Sequence, residues 1–167
     1  MGACHARGWR AVVMHFRNCS GEANRLARAY HSGETGDLQN IIERLRHRHP
    51  QTSICAVGYS LGGNVLLKFL GQQPNHGVLC AAAAVSVPYE LKTGAKKLDT
   101  GLSKIYQRHL LKSLKHSITK KKSLLVNKID YTHCQSASSI YAFDDCVTAP
   151  LHGFLNAEDY YARSSSR

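Results

Sequence analysis

The most restrictive feature of the sequence is a glycine-rich pentapeptide, Gly58-Tyr59-Ser60-Leu61-Gly62, which joins two segments of different periodicity. The short apolar run before it, residues 53–58, predicts a strand that is buried on both faces. The apolar residues after it recur at helical spacing, at Val65, Leu66, Phe69 and Leu70. The pattern therefore predicts a strand, a sharp turn and a helix that ends near Gly71 and Pro74.

Two other glycine-rich turns between a strand and a helix bind phosphate groups, and neither fits this sequence. A P-loop requires lysine and then serine or threonine after its last glycine, whereas Asn64 follows Gly63. A dinucleotide-binding turn requires glycine where Ser60 stands. No cofactor is therefore expected.

Strands and helices alternate along the first half of the chain. Residues 10–17 have an apolar centre with a β-branched pair and predict a strand. A helix is predicted by the spacing of Leu38, Ile41, Ile42 and Leu45, and it should end at His49-Pro50 because proline disfavours helical geometry in the residue before it. Residues 79–87 predict a third strand. The alternation predicts an α/β fold with parallel strands joined by helical crossovers.

The pattern changes near residue 90. Beyond it, helical periodicity and polar connectors replace strands. One predicted helix would present an apolar face made of Leu102, Ile105, Leu110, Leu111, Leu114 and Ile118. We therefore predict two parts, residues 1–90 with the α/β pattern and residues 91–167 with a helical one.

The composition is that of a globular domain, with 43% hydrophobic and 20% charged residues. No stretch approaches the roughly 20 apolar residues that cross a bilayer, and the N-terminus has no apolar signal region, so a soluble cytoplasmic protein is expected. The six cysteines show no regular spacing, which favours reduced structural thiols over a disulfide framework or a zinc site. No metal is expected. Cys55 and Cys80 lie in apolar runs, where a thiol packs as a small hydrophobic group.

Ser60 is the candidate catalytic residue. In a G-x-S-x-G turn between a strand and a helix, the serine stands clear of the sheet as a nucleophile. The residues two before and two after it must be small to avoid backbone contacts, and Gly63 adds further room. The turn directs the start of the helix at the serine, so the Leu61 N–H can donate to an oxyanion. A plain glycine-rich turn is the less specific alternative.

Three blocks of sequence carry a family resemblance. The first is Val57–Gly71 (VGYSLGGNVLLKFLG), and the second contains HFRNCSGEANR and YHSGETGDL within residues 13–38. The third contains Phe143-Asp144-Asp145, His152-Gly153-Phe154 and Asp159-Tyr160-Tyr161. Together they resemble the YheT-type hydrolases, a subfamily of the α/β-hydrolase fold. The resemblance implies that residues 1–90 belong to the hydrolase core and residues 91–167 to a cap-like helical segment.

The same resemblance implies a serine hydrolase of carboxylic esters. Its small-molecule or lipid substrates would be short- or medium-chain acyl esters, acylglycerols or phospholipids, and some members of the subfamily transfer the acyl group to an alcohol. The serine would attack the carbonyl, a histidine would act as general base and an aspartate would orient that histidine.

The chain departs from this pattern where the triad should be completed. The resemblance implies the order Ser, Asp, His, with the acid and base after the last two strands, which are expected beyond Tyr160-Tyr161. The strand and loop that supply a second oxyanion donor are expected before Met1. Asp144 or Asp145 followed by His152 satisfies the order, but the spacing of seven or eight residues favours a structural role. The alternative function is a catalytically inactive fragment or a basic binding module without enzymatic activity.

A folding consequence follows from the implied strand order. A strand absent from this chain would separate residues 10–17 from the other strands, so that only residues 53–58 and 79–87 are direct neighbours. Unpaired strand edges promote aggregation. We therefore predict that the isolated chain is poorly stable or aggregates.

The formal charge of +11 is concentrated in residues 96–122, at Lys96, Lys97, Lys104, Arg108, Lys112, Lys115 and Lys120 to Lys122. A solvated helix face is the simplest interpretation. The more specific one is a weak contact with an anionic membrane surface or an anionic ester substrate. Nucleic-acid binding is not favoured, because only Tyr106 interleaves with the basic residues and no known nucleic-acid-binding motif is present.

Overall fold

The computed structural model describes residues 1–72 and 78–167. The first half contains α1 (Gly2–His5), α2 (Gly36–Arg48), β1 (Cys55–Tyr59), α3 (Leu61–Gln72) and β2 (Ala81–Val85). The helical region that follows contains α4 (Leu91–Leu98), α5 (Ser103–Lys120), α6 (Lys122–Leu125), α7 (Tyr131–Ser136), α8 (Ile140–Phe143), a π-helical turn (Asp144–Thr148), α9 (Ala149–His152) and α10 (Ala157–Ser164). In the described part of the chain, no helix combines the length and the apolar character that a bilayer crossing requires.

β1 and β2 form a parallel two-stranded sheet, in register from Cys55 opposite Ala81 to Tyr59 opposite Val85. Helix α3 connects them, as a parallel pair requires a crossover. The predicted α/β fold class is confirmed, and so is the direct pairing of the strands predicted at residues 53–58 and 79–87. Helix α3 ends at Gln72, close to the predicted end at Gly71. Pro74, the other predicted end, lies outside the described residues.

The predicted strand at residues 10–17 is wrong. Residues 9–16 form neither a strand nor a helix, and a turn follows at Arg17. A strand needs a neighbour to pair with its backbone N–H and C=O groups, and the described sheet contains only β1 and β2. Side chains hold the segment instead. The Phe16 ring stacks on Tyr30 with centroids 5.1 Å apart, and Arg17 Nε donates to Asp37 of α2 at 2.6 Å.

The amphipathic helix predicted from Leu38 to Leu45 is confirmed as α2. Its apolar stripe buries Ile42, and the acidic Asp37 in its first turn is favourably placed at the positive end of the helix dipole. The helix ends at Arg48, and His49 and Pro50 leave helical geometry as predicted.

One face of the sheet is covered and the other is open. Helix α3 packs on the face that carries Gly58 and Ala84, where a Cβ added to Gly63 would lie 3.5 Å from the Ala84 Cβ. On the opposite face Val57 is 61% exposed and Tyr59 is 69% exposed. The prediction that β1 is buried on both faces is therefore wrong, because no described element covers this second face.

The prediction that Cys55 and Cys80 pack as buried hydrophobic groups is also wrong. Both residues are exposed, at the amino ends of β1 and β2. Their sulfur atoms lie 3.0 Å apart.

The buried apolar side chains concentrate in the helical region. The larger cluster is formed around α5 to α8 by Leu111, Ile118, Leu125, Cys134, Ala137, Phe143 and Val147. A second cluster joins α4 to α10 through Leu91, Ala95, Ala157, Tyr160 and Tyr161.

The apolar face predicted for α5 is only partly correct. Leu111 and Ile118 are buried, and Leu114 is half-buried. Leu102, however, is 86% exposed and Ile105 is 66% exposed. The buried face begins at Gln107, and Ile105 points away from it because two residues correspond to about 200° of rotation around an α-helix.

Lys121 is not part of a solvated basic face, contrary to the prediction for Lys120 to Lys122. Only 3% of its surface is exposed. Its Nζ donates to Asn24 Oδ1 at 2.7 Å, to the Ala27 carbonyl at 2.9 Å and to the Arg28 carbonyl at 3.1 Å. Burial lowers the pKa of this ammonium group. Lys121 therefore ties the helical region to the irregular N-terminal segment.

The helical region begins and ends at the same place. The Leu91 N–H donates to Ser165 Oγ at 3.1 Å, and the Ser166 N–H donates to the Tyr89 carbonyl at 3.2 Å. Glu90 and Arg167 form an ion pair beside these bonds, at 2.7 Å. The division of the chain at residue 90 into a core and a cap stays a prediction.

Candidate functional site

Ser60 stands alone between β1 and α3, at the tip of the turn that joins them. Its backbone has φ of 48°, in the left-handed region that residues other than glycine rarely adopt. The Ser60 N–H donates to the Val85 carbonyl of β2 at 2.8 Å, and the Ser60 carbonyl accepts from Gly63 and Asn64 at 3.0 and 3.1 Å. Strand and helix therefore both hold this backbone, while the Ser60 side chain stays exposed.

Two of the three glycines in this turn are required because a side chain at their positions would meet neighbouring atoms. A Cβ added to Gly58 would lie 2.5 Å from the Gly62 carbonyl oxygen and 2.7 Å from the Gly63 Cα. A Cβ added to Gly63 would lie 2.6 Å from Val87 Cγ2. At Gly62 an added Cβ would meet nothing within 4 Å. The predicted need for a small residue is thus supported at positions 58 and 63, and no described neighbour requires it at position 62.

The groups around the Ser60 hydroxyl are sparse. Among the described residues, no side chain forms a hydrogen bond with Ser60 Oγ. Leu61 is the first residue of the twelve-residue helix α3, so its N–H is one of the donors without an acceptor inside the helix. The positive end of the helix dipole lies at the same point. The turn can therefore present a hydroxyl beside a backbone donor, and the roles of Ser60 and Leu61 stay predictions.

Asn64, one helical turn after Ser60, anchors the start of α3 and was not singled out by the sequence. Its side chain is fully buried, and Nδ2 donates to the Ser32 carbonyl at 2.8 Å and to the Ser164 carbonyl at 2.9 Å. Tyr160 Oη completes the cluster, because it donates to Ser32 Oγ at 2.8 Å and accepts from the Ser32 N–H at 3.0 Å. The signal available in the sequence was an amide on the apolar side of α3.

Asp144 and Asp145 are bound to groups other than His152. Asp144 accepts from Thr148 Oγ1 at 2.6 Å and from Tyr161 Oη at 2.8 Å, and burial raises its pKa to about 6. Asp145 accepts from the Ala157 N–H at 2.8 Å. Neither carboxylate forms a hydrogen bond with His152 in the described structure, which favours the structural role expected for them.

His152 packs instead against His31, with ring centroids 4.5 Å apart. Phe154 and Tyr160 enclose the His31 ring edge to face. Burial is the main cause that lowers the pKa of each histidine to about 4, and the positive charge of Arg28 contributes to that lowering in both. Both rings are therefore neutral near pH 7. No hydrogen bond joins either of them to Ser60 among the described residues.

No metal centre emerges from the described ranges 1–72 and 78–167, in which no three His, Cys, Asp or Glu side chains converge. The polar groups near the start of α3 are a hydroxyl, backbone N–H groups and amides. These groups suit an oxyanion or a carbonyl better than a cation.

The chain is similar to known hydrolases over nearly all of its length. A family model described as the alpha/beta hydrolase fold matches residues 1–144. YheT of Escherichia coli (strain K12), whose name classes it only provisionally as an esterase, is 41% identical over 98% of this chain and 49% of its own length. The human phospholipase ABHD3 is 31% identical over 95% of this chain and 39% of its own length.

A more distant relative is the monoacylglycerol lipase of Saccharomyces cerevisiae (strain ATCC 204508 / S288c), 27% identical over 95% of this chain and 37% of its own length. The chain thus spans less than half of the length of each of these relatives. No solved structure matches it significantly. The chain belongs to the α/β-hydrolase fold family, and its similarity to YheT supports the YheT-type assignment that its motifs predict.

Proposed function

We propose that Ser60 is the nucleophile of a serine hydrolase that acts on carboxylic esters. The observation that carries the proposal is the exposed serine with φ of 48° at the junction of β1 and α3. A strained non-glycine backbone of this kind persists when the surrounding structure enforces it, and such positions cluster at active sites. The names of the relatives, an esterase, a phospholipase and a monoacylglycerol lipase, favour acyl esters or acylglycerols as the substrate class.

The proposed reaction has two steps. In the first step Ser60 Oγ attacks the ester carbonyl carbon, the alcohol leaves with the proton of the Ser60 hydroxyl, and an acyl-serine remains. In the second step water attacks this acyl-serine, the carboxylic acid leaves, and the Ser60 hydroxyl is restored. An alcohol in place of water would make the same site an acyl transferase. The Leu61 N–H stabilises the oxyanion that forms in each step. Because the described residues place no base beside Ser60 Oγ, we propose that turnover is impaired in this chain.

A fluorophosphonate probe tests this assignment, because it labels a serine only when that serine is activated. Since no base lies beside Ser60 Oγ among the described residues, we expect slow labelling of the chain and none in Ser60→Ala. Ser86→Ala is the matched control, since Ser86 is also exposed, also follows a strand and has φ of 54°. Labelling that survives in Ser60→Ala would overturn the role of Ser60. A complete absence of labelling in the folded chain would favour the alternative, a catalytically inactive fragment or a basic binding module.

We also propose a weak contact between residues 96–122 and anionic membrane surfaces. Leu102, Ile105 and Tyr106 are exposed apolar or aromatic side chains next to the exposed cations Lys104 and Arg108. Apolar side chains among basic ones are typical of segments that lie at a lipid interface, where each cation contributes about 1 kcal/mol.

Sedimentation with vesicles tests the membrane contact. We expect binding to vesicles that contain phosphatidylserine, weaker binding in high salt, and none to neutral phosphatidylcholine vesicles. Lys104→Glu should reduce binding, whereas Lys128→Glu makes the same charge change at an exposed position outside the segment. Equal losses in both variants, or stronger binding to nucleic acid than to anionic vesicles, would contradict the proposal.

A further inference from the structure

The amino ends of the two strands carry a pair of exposed thiols. Cys55 is the first residue of β1, and Cys80 immediately precedes β2. Their sulfur atoms lie 3.0 Å apart, close enough for one thiol to share its proton with the other. Nothing in the proposed ester chemistry uses this pair, because Ser60 lies at the opposite end of β1.

We propose that Cys55 and Cys80 are a redox modification site that forms a reversible disulfide between the two strands. Such a bond would close a covalent loop that contains β1, the Ser60 turn and α3. The proposal is independent of the role of Ser60.

The backbone geometry suits such a bond. The Cys80 N–H donates to the Ile54 carbonyl at 2.9 Å, and Cys55 faces Ala81 in the strand register. Neighbouring strands lie about 4.8 Å apart and rise about 3.3 Å per residue, which places the Cα atoms of Cys55 and Cys80 roughly 6 Å apart. This separation is within the range of about 4.4–6.8 Å seen in disulfides. The sulfur atoms need only approach each other by about 1 Å to reach bonding distance.

Thiol–disulfide exchange with a low-molecular-weight disulfide supplies the oxidising equivalents. The thiolate of one cysteine attacks a sulfur of the reagent, forming a mixed disulfide and releasing one reagent thiol. The second cysteine then displaces the remaining reagent thiol and closes the Cys55–Cys80 bond. Two protein thiols and one reagent disulfide are thereby converted into one protein disulfide and two reagent thiols, which carry the two protons.

The other cysteines provide a contrast within the same chain. Cys134 is fully buried and donates to the Cys146 carbonyl at 3.1 Å, and burial raises the pKa of both thiols. A buried thiol is less available to a reagent in solution. Cys19 is exposed but has no cysteine partner in the described structure. Selective oxidation should therefore fall on Cys55 and Cys80.

The shared proton predicts how the reaction depends on pH. The hydrogen bond with Cys80 raises the pKa of the Cys55 thiol, and thiolate is the reactive form. Disulfide formation should therefore accelerate as the pH rises towards that pKa, by about tenfold per pH unit where the thiol predominates.

Peptide mapping tests the proposal in the intact chain. The folded chain is treated with oxidised glutathione, its remaining thiols are alkylated, and trypsin then cleaves at Lys68, which separates Cys55 from Cys80. We expect one dominant linked peptide that joins these two cysteines and that dithiothreitol releases. The linked peptide should be lost in Cys55→Ser and in Cys80→Ser and retained in Cys19→Ser.

Two outcomes would overturn the proposal. One is that mixed disulfides with glutathione accumulate at Cys55 or Cys80 while the linked peptide fails to form. The other is a lack of selectivity. Cys55 would then pair with Cys19 as often as with Cys80, or would pair with Cys80 no more often in the native chain than in the chain unfolded by concentrated guanidinium chloride. As an independent readout, the oxidised chain should resist proteolysis within residues 55–85 roughly tenfold longer than the reduced chain, because the bond restricts the unfolded state.

Discussion

The segment that carries Ser60 and the helical region after it are stabilised in different ways. The helical region buries apolar side chains in two clusters, whereas β1 and β2 leave Val57, Tyr59 and Val85 exposed. The turn at Ser60 nevertheless has a strained backbone, which is held by hydrogen bonds to β2 and to the first turn of α3. The difference teaches that close steric contacts and backbone hydrogen bonds to β2 and α3 fix the geometry of this turn. The stability of the segment, in contrast, depends on packing that the described chain supplies on one face only.

The largest effect is expected at Gly58, where the turn has no room for a side chain. In Gly58→Ala the new Cβ would meet the Gly62 and Gly63 backbone, which cannot move away as a flexible side chain can. We expect a loss of about 4 kcal/mol in the free energy of unfolding. Pulse proteolysis across a urea series measures it.

Gly62→Ala is the matched control for that measurement. Its Cβ meets no atom within 4 Å, and replacing a helical glycine with alanine stabilises a helix by about 0.5–1 kcal/mol. Equal destabilisation by the two substitutions would show that the turn does not depend on the steric contact at Gly58.

Asn64→Leu should have the next largest effect, because Asn64 connects the two regions. The substitution leaves the buried Ser32 and Ser164 carbonyls without their donor, which we expect to cost about 3 kcal/mol. Hydrogen exchange should become faster around residues 32 and 164. Asn40→Leu is the control, because the bond that it loses to the Gly36 carbonyl is solvent-exposed, and it should change the stability little. Unchanged hydrogen exchange in Asn64→Leu would contradict the anchoring role of Asn64.

Acidification should weaken the same junction through His31 and His152. Their pKa is lowered from 6.5 to about 4 in the folded chain, so the unfolded chain binds these protons first. Stability should therefore fall as the pH drops from about 7 towards 4, by about 2 kcal/mol once partial exposure is allowed for. Asp144 acts in the opposite direction, because its raised pKa of about 6 means that protonation stabilises the fold over part of this range.

The pH dependence is checked by urea midpoints measured between pH 4 and 7. His152→Gln should flatten the profile, because one of the two buried rings is removed. His133→Gln should not, because His133 is exposed. A profile that stays equally steep in His152→Gln would show that other groups cause the acid instability.

The smallest effect is expected at Lys121. Lys121→Met removes three hydrogen bonds to the N-terminal segment but also removes a buried cation, so the net loss should be only about 1 kcal/mol. Protease cleavage should increase between residues 24 and 28. Lys120→Met, at an exposed position, is the control. Equal stability and equal cleavage in the two variants would show that Lys121 does not join the helical region to the N-terminal segment.

The sequence was most informative where structure depends on near neighbours. Helix α2, helix α3 and both strands were predicted from spacing and from one proline, because each pattern is complete within about 12 residues. The position of Ser60 between β1 and α3 followed from the same short-range signals.

Features that depend on distant packing were not predictable in the same way. Whether Cys55 is buried depends on what covers the sheet, and whether residues 10–17 form a strand depends on a neighbour. Asn64 binds a carbonyl 100 residues away, and Lys121 binds carbonyls more than 90 residues away. Contacts between residues so far apart leave no periodic pattern in a single sequence. The buried face of α5 was therefore predicted to extend too far, to Leu102, and the anchoring role of Asn64 was missed.

The meeting of residues 89–91 with residues 165–167 has an architectural consequence. Because these two short segments are bonded to each other, the ends of the helical region lie side by side, and a change in its length need not alter the distance between them. A protein engineer could therefore replace the region between Glu90 and Ser165 as a unit. The hydrogen bonds of Asn64, Tyr160 and Lys121 are the points at which such a replacement would have to fit the rest of the chain.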